Sequence, residues 1–376
     1  MRSNYRGIAY RLAGIFAVLF YLSPIGAAES LPLQLTDDEF WTVIASFSEP
    51  NGTFLSENFV SNERSYQQIV GQLAEGRQPA SAYIGVGPEQ NFTYILALKP
   101  QIAFVVDIRR QNMIEHLMYK AIFELSEDRV GFLSRLFSRP RPDNVDLNAT
   151  VETLIDAFDN QTDAAQVFQD NLDAIQNRLV KHHGFPLNAE DQSSLRRVLL
   201  AFRLAGPNLT YNGPNFAPGL MPGFGEIMKQ TDKNGVNRGF LATEANFQII
   251  RELQMKNLLI PVVGDFAGPR AIRSVGEYLR NHSSTVTAFY TSNVEQYLFQ
   301  NDVWREFYAN LATLPVNSKS VIIRGLIRSM SGEISSSPVL PVTSRYETGL
   351  FSIPELDEAF KDGSIRAYVD IVRNRQ

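Results

Sequence analysis

The sequence predicts an α/β fold: a doubly wound, mostly parallel sheet with a helical insertion between its second and third strands. Three observations carry this. Short apolar runs, "SAYIGVG", "IAFVVD", "NLLIPVVGDFAG", "STVTAFYTSN" and "SKSVIIRGL", have strand length and are separated by helical segments, the alternation of parallel strands joined by crossover helices. Four of the runs end in glycine, aspartate or asparagine, and ligands of such sheets bind outside the carboxyl ends of the strands. With 376 residues, 44% hydrophobic and 20% charged, the chain can also bury a large core.

The N-terminus reads as an export signal. Arg2, Arg6 and Arg11 precede an apolar run from Leu12 to Leu22, and Pro24 and the small residues Gly26, Ala27 and Ala28 follow. That order predicts a secretory signal peptide over residues 1–28, cleaved after Ala28, and a periplasmic or secreted mature protein. The run is shorter than the roughly 20 residues of a spanning helix, so an uncleaved anchor is the weaker alternative and no stable membrane insertion is expected after cleavage. The formal charge is −5, and the first 28 residues carry only bases, so the remainder is more acidic still. Such a surface gives no reason to expect nucleic acid as a partner. Cysteine is absent, which excludes disulfides, thiolate metal sites and a cysteine nucleophile. Four histidines without ligand spacing make no metal site.

Residues 29–78 are expected to form an N-terminal helical cap. Thr36 and Glu39 have capping-box spacing, and Phe40, Ile44 and Phe47 share one helical face. The polar stretch after it is a surface connection, or else brings Asn58, Asn62 and Glu63 to the mouth of a pocket. A second helix should end near Gly71 to Gly76.

The core proper is assigned to residues 79–125 and 240–376. Its first strand ends in Gly85 and Gly87, and Pro88 suits the first turn of the helix "PEQNFTYILAL". The glycines let the backbone turn sharply and bring a ligand against helix N–H groups. Asp107 follows Gly85 by 22 positions, close to the roughly 20 between a dinucleotide-type turn and its ribose-binding acid. Gln90 stands where a nicotinamide fingerprint has its third small residue, and parallel sheets without any nucleotide also turn on glycine.

The insertion, 126–239, shows three helical segments, one starting at Asn188 and stopping at Gly206, and then five glycines and four prolines across residues 206–225. Long irregular loops of this kind are often lids; Tyr211, Asn215 and Phe216 are its candidate substrate contacts, with a plain surface loop as the alternative. Asp232 and Tyr211 are weak catalytic candidates. A carboxylate such as Asp232 acts as a base when held in a closed site, but in "TDKNG" it suits better a turn in which it bonds its own backbone.

The glycine turn, the acid after the second strand and "VVGDF" after the third together resemble the Rossmann domain of class I S-adenosylmethionine-dependent methyltransferases. More narrowly, "GVGPEQNFTYI", "DIRRQN" and "GDFAGPRAIRSVGEYL" resemble an uncharacterised family of bacterial proteins with no assigned reaction. The first resemblance implies S-adenosylmethionine as cofactor, held by Gly85, Gly87 and Asp107, with Asp265 facing the adenine amino group and Phe266 its ring. It places Asn293 where such enzymes keep substrate-facing residues, and it implies methylation of a small molecule. Glu89 replaces the third glycine of that pattern, and no Asn-Pro-Pro-Tyr loop follows the fourth strand. The alternative is a non-catalytic exported binding or interaction protein on a degenerate scaffold of the same fold.

Overall fold

In a computed structural model, residues 30–143, 145–159, 165–211, 221–329, 332–337 and 345–372 are described. The expected signal peptide, together with Asn215 and Phe216, lies outside them. The chain opens with α1 (Asp37–Phe47) and α2 (Val70–Glu75), then β1 (Ser81–Gly85), α3 (Gln90–Leu98) and β2 (Ile102–Asp107). Between β2 and β3 lie α4 (Arg110–Leu125), α5 (Arg129–Leu136), α6 (Val151–Asp159), α7 (Ala165–Gln176), α8 (Ala189–Ala205), α9 (Phe224–Met228) and α10 (Glu244–Met255). The rest is β3 (Leu259–Val263), α11 (Ala271–Asn281), β4 (Thr285–Ser292), α12 (Val294–Gln300), α13 (Trp304–Leu311), β5 (Val321–Arg328), β6 (Arg345–Ser352) and α14 (Ile353–Lys361). The protein is therefore α/β, built on a mostly parallel six-stranded sheet in the order β3-β2-β1-β4-β5-β6. β1 to β5 are parallel, and β6 closes the edge antiparallel to β5.

The strands form where β-branched and aromatic side chains are covered from both sides, and every residue of β1, β2 and β3 is buried. Neighbouring residues of β4 show the two faces. Phe289 meets Phe307 of α13, whereas Tyr290 meets Tyr94 of α3. One helical layer holds α3, α4 and α10, and the other holds α1, α11, α13 and α14. Phe104 of β2 lies under the second layer, against Phe47 and Tyr278. Its burial is worth roughly 2–3 kcal/mol.

Local signals are kept where they are purely local. Thr36 and Glu39 cap α1 reciprocally, α2 stops at Gly76, and Asn188 caps α8, which ends at Gly206. The α3 helix begins two residues later than Pro88 suggests. The Asn91 side-chain amide donates to the carbonyls of Val86, Gly87 and Pro88 at 2.9, 3.0 and 2.7 Å and holds that stretch as a turn. In the insertion, α5, α7 and α8 pack on α4, and α6 packs on α5. One continuous apolar core, from Leu31 to Val372, joins insertion and sheet. Among the described residues no helix is long and apolar enough to cross a membrane.

Candidate functional site

A cleft of about 720 Å³ opens where the carboxyl ends of β1 to β4 meet. Parallel strands all end on that side, so whatever follows them in sequence is delivered to one rim. The turn after β1 contributes Val86, Gly87 and Pro88; β2 ends in Asp107 and is followed by Arg109; β3 is followed by Gly264, Asp265 and Phe266; β4 contributes Tyr290 and Ser292 and is followed by Asn293.

The roof comes from residues 48–62, and it is stitched down by hydrogen bonds no local pattern announces. Glu49 accepts from the backbone N–H groups of Asp265 (3.0 Å), Arg270 (2.7 Å) and Ala271 (3.0 Å), so a carboxylate from a distant loop satisfies the start of α11. Gly52 N–H donates to Ile108 O at 2.9 Å, and Ser61 N–H to Glu89 Oε1 at 3.0 Å. Phe54 meets Tyr297 of α12 edge-on at 5.1 Å, and Ser56 is hydrogen bonded to the Tyr211 hydroxyl.

The structure brings Gly87, Asp107, Asp265, Phe266, Asn293, Asn58, Asn62 and Tyr211 to this cleft. Three other expected site residues lie off it. Gly85 packs behind the turn, where a Cβ would strike the Asn91 and Tyr83 side chains; its role is close packing, not ligand contact. Glu63 is 1% exposed and sits beneath the floor. Asp232 belongs to a turn: its Oδ1 accepts from Asn234 and Val236 N–H at 2.8 and 3.0 Å, and Arg238 Nε reaches its Oδ2 at 2.6 Å. Arg238, helped by the turn N–H groups, holds that carboxyl below the usual range, the wrong direction for a base working near neutral pH.

Asp107 is engaged within its own segment. Arg109 donates to its Oδ1 from both backbone N (2.9 Å) and Nε (3.1 Å), and to Oδ2 from Nη2 (3.1 Å). A carboxylate offers about four acceptor positions, so one remains on Oδ2. Asp265 is steadied by Ala267 N–H on its Oδ1 at 2.9 Å, and Phe266 stacks on Phe307 at 5.6 Å.

Two buried groups under the glycine turn carry no sequence signal beyond their residue type. His116 Nε2 lies 2.8 Å from Gly87 O, and burial pushes its pKa down to about 4. The ring is neutral at pH 7, so Nε2 carries the proton and donates to the carbonyl. Burial pushes the Glu89 carboxyl up to about 7.

The family model described as a domain of unknown function (DUF7790) matches residues 58–143 and 140–370, which take in all six strands and most of the cleft. No curated protein matches the chain in sequence. With both matched segments running through sheet, insertion and cleft, the chain belongs to the family described as a domain of unknown function, DUF7790.

Proposed function

We propose that the cleft binds an adenosyl nucleoside of the S-adenosylmethionine type, and that the chain is an exported, methyltransferase-like protein acting on a small molecule. One observation carries the reading: Gly87, Asp107 and Asp265, scattered along the sequence, open on a single cleft at the ends of three adjacent parallel strands. The residues fit such a ligand. Gly87 has φ +74°, and a Cβ there would meet nothing within 4 Å, so the backbone faces open space rather than packing. Asp107 keeps one acceptor position for a ribose hydroxyl, Asp265 would accept from the adenine amino group, and Phe266 would flank its ring. When bound, S-adenosylmethionine supplies an electrophilic methyl group. The chain's own part is to orient the nucleoside and to hold an acceptor on the Tyr211, Asn58 and Asn62 side of the same cleft.

The second reading, a non-catalytic exported binding protein, is favoured by Arg109, which fills three of the four positions on Asp107. Calorimetric titration with S-adenosylmethionine and S-adenosylhomocysteine tests the first. Heat that disappears in Asp265→Ala is the expected outcome, and no heat at millimolar ligand would refute it. Export rests on residues 1–28 alone. A reporter fused after residue 28 that is active only inside the cell would refute that part separately.

A further inference from the structure

At its β4 end the same cleft holds a serine in an unusual backbone conformation. Among the described residues, seven other than glycine have positive φ. Lys99, Ser138, Asn257, Ser283 and Asp302 stand at or one past the C-caps of α3, α5, α10, α11 and α12, where a left-handed residue ends a helix. Ala80 enters β1. Ser292, at φ +51°, ends a strand and is followed at once by α12. The β4–β5 register slips between Tyr290 and Ser292, an irregularity that re-aims side chains. Ser292 lines the cleft, and a non-glycine residue held left-handed at such a turn is strained.

Behind Ser292 lies Glu63. Ser292 Oγ donates to Glu63 Oε1 at 2.6 Å, Tyr290 OH donates to the same oxygen at 2.9 Å, and Gln90 Nε2 donates to Oε2 at 3.1 Å. No lysine, arginine or histidine is among these partners, so the carboxylate is fixed by neutral donors without its charge being cancelled. The fold makes room for it: Gly325 sits in mid-β5, and a Cβ there would lie 2.6 Å from Glu63 Oε1. A glycine inside a central strand weakens it, and such a position marks the close approach of another group. Burial raises the Glu63 carboxyl, which makes the carboxylate a stronger base.

We propose that Ser292 is a nucleophile for acyl transfer, with Glu63 as its base and Tyr290 and Gln90 fixing that base. A hydroxyl lining a cleft from a strand-to-helix turn, a base in hydrogen-bond reach and groups orienting the base are the parts such chemistry needs. The Oγ–H bond breaks as Oγ bonds to the acyl carbon, and the proton passes to Glu63. The ester C–O bond then breaks and the leaving alkoxide takes the proton. Water reverses the sequence, so ester and water give acid and alcohol. Asn293, next in the chain, and Asn62 line the same cleft and carry amide N–H groups for the carbonyl oxygen. Phe54, Tyr297 and Tyr346 form an aromatic wall there, which suits esters with an apolar or aromatic part.

The test treats the full chain with an alkyl fluorophosphonate, which gives an Oγ–P bond on an activated serine and releases fluoride, followed by peptide mass mapping. An adduct on Ser292 is expected, none in Ser292→Ala, and labelling slowed about a hundredfold in Glu63→Gln. No Ser292 adduct after hours at millimolar probe overturns the proposal. So does a Glu63→Gln protein that melts like wild type and labels at its rate. The labelling rate of the wild type is also to be followed from about pH 4 to 8, which needs no variant of a buried residue: it should rise as the base loses its proton, and a flat profile overturns the proposal. The probe requires no adenosyl ligand. A missing label thus leaves the nucleoside reading standing, and missing heats with S-adenosylmethionine leave this one standing.

Discussion

Replacing Arg109 by methionine isolates what its pairing with Asp107 is worth. The two side chains are 9% and 6% exposed, and two guanidinium contacts of 3.1 Å hold the carboxylate. In Arg109→Met the carboxylate keeps only the backbone N–H of residue 109, at 2.9 Å. Removing one partner of a buried ion pair costs roughly 3–5 kcal/mol, because the remaining charge stays desolvated. The cleft lets water approach Asp107, so about 3 kcal/mol is expected. Urea unfolding should show a lower midpoint at unchanged slope. Asp107→Asn combined with Arg109→Met should recover part of the loss, since no unpaired charge remains. A single-variant loss below about 1 kcal/mol would place the pair with ordinary surface pairs and refute the reasoning from burial. Ligand binding gives a second readout. Freed acceptor positions on Asp107 should let adenosine bind more tightly to Arg109→Met than to wild type, and equal or weaker binding counts against Asp107 as the ribose acceptor.

Two further outcomes follow from the turn after β1. Glu89, pushed up to about 7 in the folded protein from an ordinary 4.5, binds its proton more tightly folded than unfolded. Its contribution is therefore fully present below about pH 4.5 and is lost as pH rises to about 7, by roughly 3 kcal/mol. His116, pushed down to about 4, acts in the opposite sense: the folded state resists its protonation, so stability falls as pH drops from about 6.5 to 4. The two offset in wild type. Relative to wild type, Glu89→Gln should gain stability steadily between pH 4.5 and 7 in urea titrations, and a pH-independent difference would show that Glu89 ionises as if in water. Gly87→Ala, strained by φ +74° but free of steric clash, should cost about 1–2 kcal/mol in the same assay; a neutral result would mean that the turn relaxes.

What the sequence determined by itself is whatever neighbours in the chain decide. Apolar runs of strand length gave β1 to β5, the Thr36–Glu39 and Asn188 caps set where α1 and α8 begin, and Gly76 and Gly206 set where α2 and α8 stop. Because parallel strands present their carboxyl ends on one side, Asp107, Asp265 and Asn293 were legible as cleft residues before any coordinates, while Gly85, read the same way, packs behind the turn. β6 was not. Its polar sequence, "RYETGLFS", becomes a strand through its antiparallel pairing with β5, a long-range choice that local propensity records weakly. The Glu49 cap on α11 and the placing of Glu63 under Ser292 join segments more than two hundred residues apart, and the roof over the cleft is tied to segments from Glu89 to Tyr297. Glu63, expected at a pocket mouth, shows the same limit, whereas Asp232 sits in the turn that "TDKNG" suits, its partners all within six residues. A carboxylate's chemistry is set by the donors and solvent around it, and only the tertiary structure gathers neutral donors from Gln90, Tyr290 and Ser292 around Glu63.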